Sequence, residues 1–417
     1  MGILTRFRSR DKPKRWTDSV SSAIQYFFGY GNAGENVTPE TAMRLSTVYA
    51  CVRVIAESVA TMSLHVYKQK PSGGLVKAEE TKLDRLLHRE PNPEMTSFVW
   101  RETMMSHLLL WGNAYSQIIR NGRGEVIGLY PLLAENMEVE RDSETRRLQY
   151  FYTDSRGERH LLAPEDVLHL HGLGFDGVMG YSPIAMEKNA ISLSLAAEKY
   201  GSNFFGSGAI PAGIITHPGQ LKNPGKLRAS WMKNYGGAAN AGSVAILEEG
   251  MKFEHIAIPN NEAQFLETRK FQVSEICRIY RVPPHMIGDL EHATFSNIEH
   301  QGMEFVKYTI SPWVSRIEQD MERALLAPEE KGRFQIKFNV DSLQRGDFKS
   351  RMEAYHIGRQ DGIYSANDIR EKEDMELLSE EDGGNAYLVN GNMIPIKLAM
   401  QGTNFKKDNG QESDREE

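Results

Sequence analysis

Three histidines and two acids cluster in and around the loop between two predicted helices, in a pattern that could support phosphodiester chemistry. The histidines are His285, His292 and His300, and the acids are Asp289 and Glu291. Enzymes that hydrolyse phosphodiesters commonly use such groups to hold metal ions. The stretch matches neither the His-Glu-x-x-His pattern nor a paired-acid motif. We therefore interpret it first as a polar loop that faces water or DNA, and keep a metal-dependent nuclease as the alternative function.

A glycine pattern offers a second possible chemistry. Residues Gly172–Gly177 fit G-x-G-x-x-G directly after a predicted strand, with Glu198 about twenty residues further on. A dinucleotide site needs its third glycine in the first turn of a helix, whose amides then hold pyrophosphate. The next predicted helix begins only at Pro183, and no parallel βαβ repeat follows. The pattern therefore favours a simple turn, and a nucleotide-binding oxidoreductase is a third alternative.

Two further histidines could share a metal ion. His169 and His171 are two residues apart on the strand Val167–His171, which places them on one face. Only His160 stands nearby as a further ligand, and protein zinc sites use three or four protein ligands. We interpret these histidines as structural, and the sequence predicts no metal and no cofactor.

The loop that carries the first group of histidines is positioned by two helices. One helix ends at Pro283–Pro284, and a second begins at Ser296, where Ser296 and Glu299 are spaced as a capping box. The second helix is predicted to run for roughly 30 residues, with a kink at Pro312. This architecture favours a structural role over catalysis. Its apolar residues recur at steps of three and four: Ile298, Phe305, Val306, Ile310, Trp313, Val314, Ile317, Met321 and Leu325.

The rest of the chain alternates between helical and strand patterns, which predicts a mixed α+β fold. Helical spacing predicts helices at Thr41–Met62, Leu83–His88, Phe98–Trp111, Pro183–Gly206, Asn261–Tyr280, Phe348–Ile357 and Ala366–Glu373. Alternation and β-branched content predict strands at Leu64–Tyr67, Tyr115–Ile119, Val126–Leu132, Met137–Glu140, Leu148–Tyr152, Val167–His171, Ala212–Thr216, Ser243–Leu247 and Phe334–Phe338.

Composition is that of a globular protein. The chain has 417 residues, of which 40% are hydrophobic and 25% charged, so it can bury one large core or two to three smaller ones. No run of eighteen apolar residues occurs, so we expect no membrane span. Cys51 and Cys277 both fall on apolar helix faces, which predicts buried free thiols.

The charge distribution separates the ends of the chain from its body. The formal net charge is −7, the wrong sign for a protein that grips DNA through its phosphates. Residues 1–40 are predicted to be a flexible basic arm that can touch nucleic acid or a partner. Residues 386–417 are predicted to be a disordered tail. The basic side chains of the arm are Arg6, Arg8, Arg10, Lys12, Lys14 and Arg15.

Seven phrases, spread in order over roughly residues 38–385, resemble one known family. They are Ser46–Ala60, Gly112–Tyr115, Asp176–Ile184, Phe204–Pro211, Val282–Asp289, Ala293–Glu299 and Asp341–Asp347. The family is that of the portal proteins of tailed bacteriophages, of the HK97-like (lambdoid) type. A match in this order is more specific than any single motif.

The resemblance implies a portal fold and a division of the chain. The implied parts are a wing at 41–182, a stem helix at 183–206, a small β-containing clip at 207–260, a second stem helix at 261–282, a tunnel loop at 283–295, a long kinked helix and strand completing the wing at 296–345, and a helical crown at 346–385.

The resemblance also implies a function without catalysis. A ring, expected to be a dodecamer, would stand at a unique capsid vertex of the virion after assembly in the bacterial host cytoplasm, and double-stranded DNA would pass through it during packaging and ejection. The implied partners are the large terminase subunit, a head–tail adaptor, and the major capsid protein or scaffold, with no membrane. An acidic channel wall would let DNA slide. The hypothesised DNA-facing residues are His285, Asp289, Glu291, His292, Thr294 and Asn297.

Overall fold

The computed structural model of the chain has two compact units, Met1–Ser342 and Leu343–Glu417. It describes residues 28–71, 73–206, 213–220, 223–235, 247, 250–255, 261–291, 295–340, 343, 348–373 and 375–388. The predicted basic arm up to residue 27, the predicted strand Ser243–Leu247 except its last residue, and the tail beyond residue 388 lie outside the described residues.

Helices make up much of the described chain, in both units. They are α1 (Pro39–Ala42), α2 (Ser46–Thr61), α3 (Lys82–His88), α4 (Ser97–Trp111), α5 (Pro183–Met186), α6 (Lys188–Gly206), α7 (Pro224–Tyr235), α8 (Asn261–Tyr280), α9 (Phe295–Glu304), α10 (Ser311–Leu325), α11 (Phe348–Gln360) and α12 (Ala366–Lys372).

The strands pair in small antiparallel sheets. They are β1 (Gly29–Tyr30), β2 (Asn36–Val37), β3 (Leu64–Gln69), β4 (Leu75–Lys77), β5 (Asn113–Arg120), β6 (Val126–Leu132), β7 (Met137–Arg141), β8 (Leu148–Thr153), β9 (Arg159–Leu162), β10 (Val167–His171), β11 (Gly213–Thr216), β12 (Lys252–His255) and β13 (Phe334–Phe338). Their orders are β1-β2, β10-β5-β6, β13-β3-β4, β7-β8-β9 and β11-β12. The predicted mixed α+β class is therefore confirmed.

The core of the first unit forms where α2 and α4 pack together beside β5. Helix α2 buries apolar residues at helical spacing, from Val48 through Ile55 to Val59. Trp100 of α4 is buried, and its indole N–H donates to Ser116 Oγ of β5 over 3.3 Å. This bond satisfies the one polar group of a large buried ring.

Gly112 allows the chain to turn sharply from α4 into β5. Its φ of 75° lies in the left-handed region, where a residue with a side chain is strained. A Cβ at this position would lie 2.1 Å from the carbonyl oxygen of Tyr181. Both constraints require glycine, and the loop before α5 can therefore pack directly on the end of α4.

The predicted long helix is present and continuous from Phe295 to Leu325. It consists of α9, a π-helical segment at Phe305–Ile310, and α10. Pro312 stands in the first turn of α10, and the N–H of Ser311 donates to the Val306 carbonyl one residue further back than in an α-helix. Since Pro312 has no N–H to donate, a widened turn before it is the local response of the helix.

The long helix also secures the edge of a sheet. Glu318 of α10 accepts from the Phe338 N–H at 2.8 Å and from Lys337 Nζ at 2.9 Å, both on β13. Glu322 accepts from the Ile336 N–H at 3.0 Å. Carboxylates of α10 thus accept hydrogen bonds from backbone amides on one edge of β13, whose other edge pairs with β3.

Four local expectations differ from the structure. The helix predicted at Pro183–Gly206 is divided into α5 and α6, because Glu187 between them leaves the helical conformation, with ψ of 27°. The helix predicted at Thr41–Met62 is divided into α1 and α2, because Leu45 between them is extended, with ψ of 121°. The long helix begins at Phe295, so Ser296 lies inside its first turn and is not its cap. Helix α7 was missed, because glycines and prolines on both sides of Pro224–Tyr235 mask a short helical pattern.

The second unit contains α11 and α12. Ser365 caps α12 in a capping box with Asp368. Glu373, just after α12, accepts from Tyr355 Oη at 3.0 Å and pairs with Arg351 at 2.7 Å, both on α11. These bonds tie the two helices together.

Across the described residues, no helix combines the length and the apolar character needed to cross a membrane.

Candidate functional site

The candidate site is the loop between α8 and α9, with the helix ends that hold it. Helix α8 ends in a Schellman motif: the Arg281 N–H donates to the Arg278 carbonyl and the Val282 N–H to the Cys277 carbonyl. Arg281 takes the left-handed conformation, with φ of 54°, where glycine is usual. The buried Val282 then anchors the chain as it leaves the helix.

A single 3₁₀ turn follows. It spans Pro284–Ile287 and ends at Gly288, whose φ is 88°. The Gly288 N–H donates to the His285 carbonyl, and the Asp289 N–H donates to the Pro284 carbonyl. The start of the loop is therefore a compact, hydrogen-bonded turn.

Two side-chain contacts tie the loop to the helices on either side. His285 Nδ1 lies 2.8 Å from Gln301 Oε1 of α9. Because an amide oxygen only accepts, the imidazole donates in this bond. Glu291 accepts from Lys270 Nζ of α8 at 2.5 Å, and the exposed Lys270 has its pKa raised by this carboxylate.

The π-helical segment contacts the start of the loop, where α8 ends. Thr309 is buried, and its hydroxyl donates to the Arg281 carbonyl at 2.6 Å. A cavity of about 410 Å³ lies between the end of α8, the double proline and this segment, with Cys277, Arg278, Arg281, Pro283, Glu304, Phe305 and Tyr308 among its lining residues.

The predicted DNA-facing residues differ in their exposure to solvent. His285 and Asp289 are half-buried, whereas Glu291 and Asn297 are exposed. Asp289 also accepts from the Glu291 N–H at 3.3 Å, so it helps to shape the turn. His292 and Thr294 lie outside the described residues. The orientation of these side chains toward a channel stays a prediction.

Where the loop is described, its acids and histidines do not assemble into a three-ligand metal cluster. The described residues bring together one such group, Asp154, Glu158 and His160, in the turn between β8 and β9. There Asp154 accepts from the Arg156 and Glu158 amides and lies 3.1 Å from His160 Nε2. The carboxylate thus shapes a β-turn, which accounts for the cluster.

His169 is part of the core. Asn113 Oδ1 can only accept, so His169 Nε2 carries the hydrogen and donates to it over 3.1 Å. His169 Nδ1 is then the acceptor for Tyr150 Oη at 3.3 Å. The ring also stacks on Tyr115. Burial lowers the pKa of His169 to about 3, so the imidazole is neutral and structural.

His171 has a different partner. Its Nδ1 lies 3.2 Å from Asp320 Oδ2 of α10, and Asp320 also pairs with Arg323 at 3.1 Å. The two histidines of β10 therefore connect that strand to its neighbours: His169 to β5 and β8, and His171 to α10.

The glycine pattern after β10 is used for close packing. A Cβ on Gly174 would lie 1.9 Å from the Met179 carbonyl oxygen. Three amides in and just after the pattern are occupied: Gly172 donates to the Gly112 carbonyl, and Val178 and Met179 donate to Asp176 Oδ1. The next helix, α5, begins only at Pro183, after the pattern. Since a pyrophosphate site needs the free amides of a helix that begins within the pattern, this loop is the simple turn that its spacing favours.

Comparisons with known proteins give one consistent answer. The family model described as phage portal protein matches residues 46–374. This chain belongs to the phage portal protein family. The "Probable portal protein" of Streptomyces phage phiC31 is 39% identical over 386 residues, which cover 89% of this chain and 82% of that protein. The portal protein of Enterobacteria phage HK97 is 32% identical over 374 residues, covering 88% and 87%.

Solved structures share the fold. A chain from the virion of a native gene transfer agent particle aligns with a TM-score of 0.58 at 21% identity, covering 87% of this chain and 95% of that one. An HK97 family phage portal protein from Corynebacterium diphtheriae aligns with a TM-score of 0.54 at 14% identity, covering 75% and 99%. The resemblance drawn from the seven phrases is confirmed.

Sequence reasoning missed several residues that build the portal's loop region. Gln301 and Thr309 had no signal beyond being polar residues on a predicted helix, yet they hold the loop. Partners this distant in sequence have no signature in one chain. Cys51 and Cys277 were expected to be buried free thiols, and both are buried and free.

Proposed function

We propose that this portal protein forms a ring at one vertex of a bacteriophage capsid and that double-stranded DNA passes through the ring during packaging and ejection. The protein acts by geometry: α6 and α8 form the stem, and the loop between α8 and α9 meets the DNA. The segment 207–260 docks the terminase and later the head-completion proteins. Family membership supports this proposal.

A group of exposed apolar side chains carries the proposal of a ring. Leu266 and Phe271 on α8, Leu290 in the loop, Met303 on α9 and Tyr308 in the π-helical segment are each at least 53% exposed. These residues lie on consecutive elements of the chain, and large exposed apolar groups in one region are typical of contact surfaces. In a cyclic assembly each subunit offers two different faces to its neighbours. An adjacent copy would cover these side chains.

The charges of the loop suit a sliding contact. Glu291 is exposed and Asp289 half-buried, and the whole chain carries a net charge of −7. Tight DNA binding requires cations that displace the counterions of the phosphates. We therefore expect the ring to bind linear DNA weakly, with a shallow dependence on salt, as a passage for DNA requires.

Negative-stain images of the purified protein test the proposal. We expect rings with a central hole for the wild type and a shift to monomers for Phe271→Glu, because a carboxylate would be buried against a neighbour. Phe271→Leu is the matched control, since it keeps an apolar group and should keep the ring. A wild-type protein that stays a monodisperse monomer at every salt concentration contradicts the proposal.

A further inference from the structure

A second cavity, of about 240 Å³, lies in the first unit, away from the loop after α8. It is bordered by the start of the described chain, by α1, by the junction of α4 with β5 and by the 3₁₀ turn Ala134–Asn136. Pockets that hold drug-sized ligands have roughly 300 to 1,000 Å³. This cavity is therefore sized for a single long side chain.

Aromatic side chains form much of the cavity wall. Phe28 and Trp111 are half-buried and Tyr115 is buried, and all three line the cavity. The ring of His107 packs edge-on against Trp111, at 5.4 Å between centroids, and holds its orientation. The faces of aromatic rings attract cations within about 6 Å. The wall therefore favours a side chain that has an apolar stem and a positive end.

Glu135 is the one charged residue among the described residues that line the cavity. The neighbouring polar side chains are already used: Thr38 Oγ1 accepts from the Thr41 N–H at 3.1 Å, and the Asn113 amide exchanges two bonds of 2.8 Å with the backbone of Gly180. Glu135 is exposed, and its carboxylate makes no hydrogen bond or ion pair with any residue in the described part of the chain. The cavity thus presents an unpaired carboxylate beside aromatic rings.

A source of cations is attached directly to this cavity. Phe28 is both a lining residue and the first residue that the structure describes. Residues 16–27 join it to residues 6–15, here called the basic segment, which has six cations against one acid. The joining residues span about 40 Å when fully extended, so the basic segment can reach the cavity. Such a short tether gives a millimolar effective concentration, at which even a weak site is occupied.

We propose that this cavity binds one arginine or lysine side chain from the basic segment of the same chain. Glu135 pairs with the cationic group, while Phe28 and Trp111 pack against its aliphatic stem. The docked segment keeps its positive charge on the protein and away from DNA phosphates. That consequence rests on the proposed function, whereas the docking itself does not.

Limited digestion of the purified full-length protein with trypsin tests the docking. Trypsin cleaves after lysine and arginine, and mass spectrometry follows cleavage within residues 6–15. Because cleavage tracks the population of the open form, we expect it to be about fivefold faster in Glu135→Gln, which loses the ion pair but keeps the side-chain shape.

Glu144→Gln is the matched control. Glu144 is an exposed acid in the turn between β7 and β8, and its substitution removes the same charge away from the cavity. We expect this variant to be cleaved at the wild-type rate. Equal rates in the wild type and Glu135→Gln, or equal acceleration in both variants, would overturn the proposal.

Phe28→Leu tests the aromatic wall without changing any charge. It keeps an apolar group at a half-buried position but removes a ring face, so cleavage in the basic segment should be about twofold faster. A wild-type rate in this variant would show that Glu135 attracts the segment as a surface charge alone, and would overturn the cavity as the binding site.

Cross-linking with a carbodiimide identifies the chain that supplies the cation. The reagent joins the Glu135 carboxylate to the amine of Lys12 or Lys14 as an amide and takes up the water that is released. We expect a link within one chain, absent from Glu135→Gln, with no covalent dimer on a denaturing gel. A link between two chains would overturn the assignment to the same chain. Slow wild-type cleavage without any link assigns the docked group to an arginine.

Negative-stain images of the same wild-type sample separate this inference from the proposed function. Absence of rings counts against the proposed function alone. The cleavage rates and the linked peptide decide the docking in either case.

Discussion

His169 on β10 and His285 in the loop after α8 both make side-chain hydrogen bonds, but they occupy opposite surroundings. His169 is buried between Asn113 and Tyr150, while His285 is half-buried and bonded to Gln301 on a neighbouring helix. Around β10 the polar groups bond to one another in the core, and the loop keeps its polar groups near solvent. Burial, more than residue type, therefore separates the structural histidines of this portal from those open to a partner.

The largest expected effect is the loss of the buried histidine. His169→Ala would remove both hydrogen bonds, leave the buried Tyr150 hydroxyl without its acceptor, and open a cavity beside Tyr115; Asn113 Oδ1 would keep its bond from the Gly180 N–H. Together these changes should lower the unfolding free energy by about 3 kcal/mol or more. Urea unfolding followed by tryptophan fluorescence measures it. The control is His300→Ala on the exposed face of α9, for which we expect a change within about 0.5 kcal/mol.

The second effect is a loss of stability in mild acid. Burial lowers the pKa of His169 to about 3 and that of His107 to about 4, from 6.5. Below pH 6.5 the unfolded chain takes up protons that the folded chain does not, so stability falls as pH falls. Each histidine should contribute on the order of 1 kcal/mol per pH unit between about pH 6 and 4.

Comparing unfolding at pH 7 and pH 5 in the wild type and in His107→Gln checks this sign. Carboxylates titrate in both proteins, so the difference between the two slopes isolates the histidine. If stability changed equally with pH in the two proteins, His107 would be protonated in the folded state. Burial would then not keep this histidine neutral.

The sequence was sufficient for features that depend on neighbours in the chain. The strands Val126–Leu132 and Phe334–Phe338 have the predicted bounds, and Ser182 caps α5 with Pro183 in its first turn. The continuous helix to Leu325 followed from its apolar spacing. These features rest on local preferences and periodicity.

Features that depend on distant partners could not be predicted. His169 owes its role to Asn113 and Tyr150, which reach it only through sheet pairing and packing. The π-helical segment is a response to Pro312 that a kink prediction does not specify. Arg281 takes a glycine-like conformation because α8 must end just before the double proline. The DNA-facing residues were predicted from their polarity alone. In the structure His285 and Asp289 are half-buried, whereas Glu291 and Asn297 are exposed.

The third effect concerns the joint between loop and long helix. Thr309→Val keeps the side-chain shape but leaves the Arg281 carbonyl without its hydroxyl donor, which should cost about 1 to 2 kcal/mol. Thr309→Ser is the matched control, since it retains the hydroxyl. Urea unfolding of both variants gives the difference. Equal stability would show that Arg281 holds its left-handed conformation without this bond.

The smallest effect is expected at the loop histidine itself. His285→Ala removes the bond to Gln301 at a half-buried site where water can replace it, so stability should fall by less than about 1 kcal/mol. A double-mutant cycle with Gln301→Ala isolates the pair, and we expect a coupling of about 0.5 kcal/mol. A loss as large as that of His169→Ala would place the loop in the core. The loop would then be as rigid as the core around His169, and His285 would no longer suit the DNA contact proposed above.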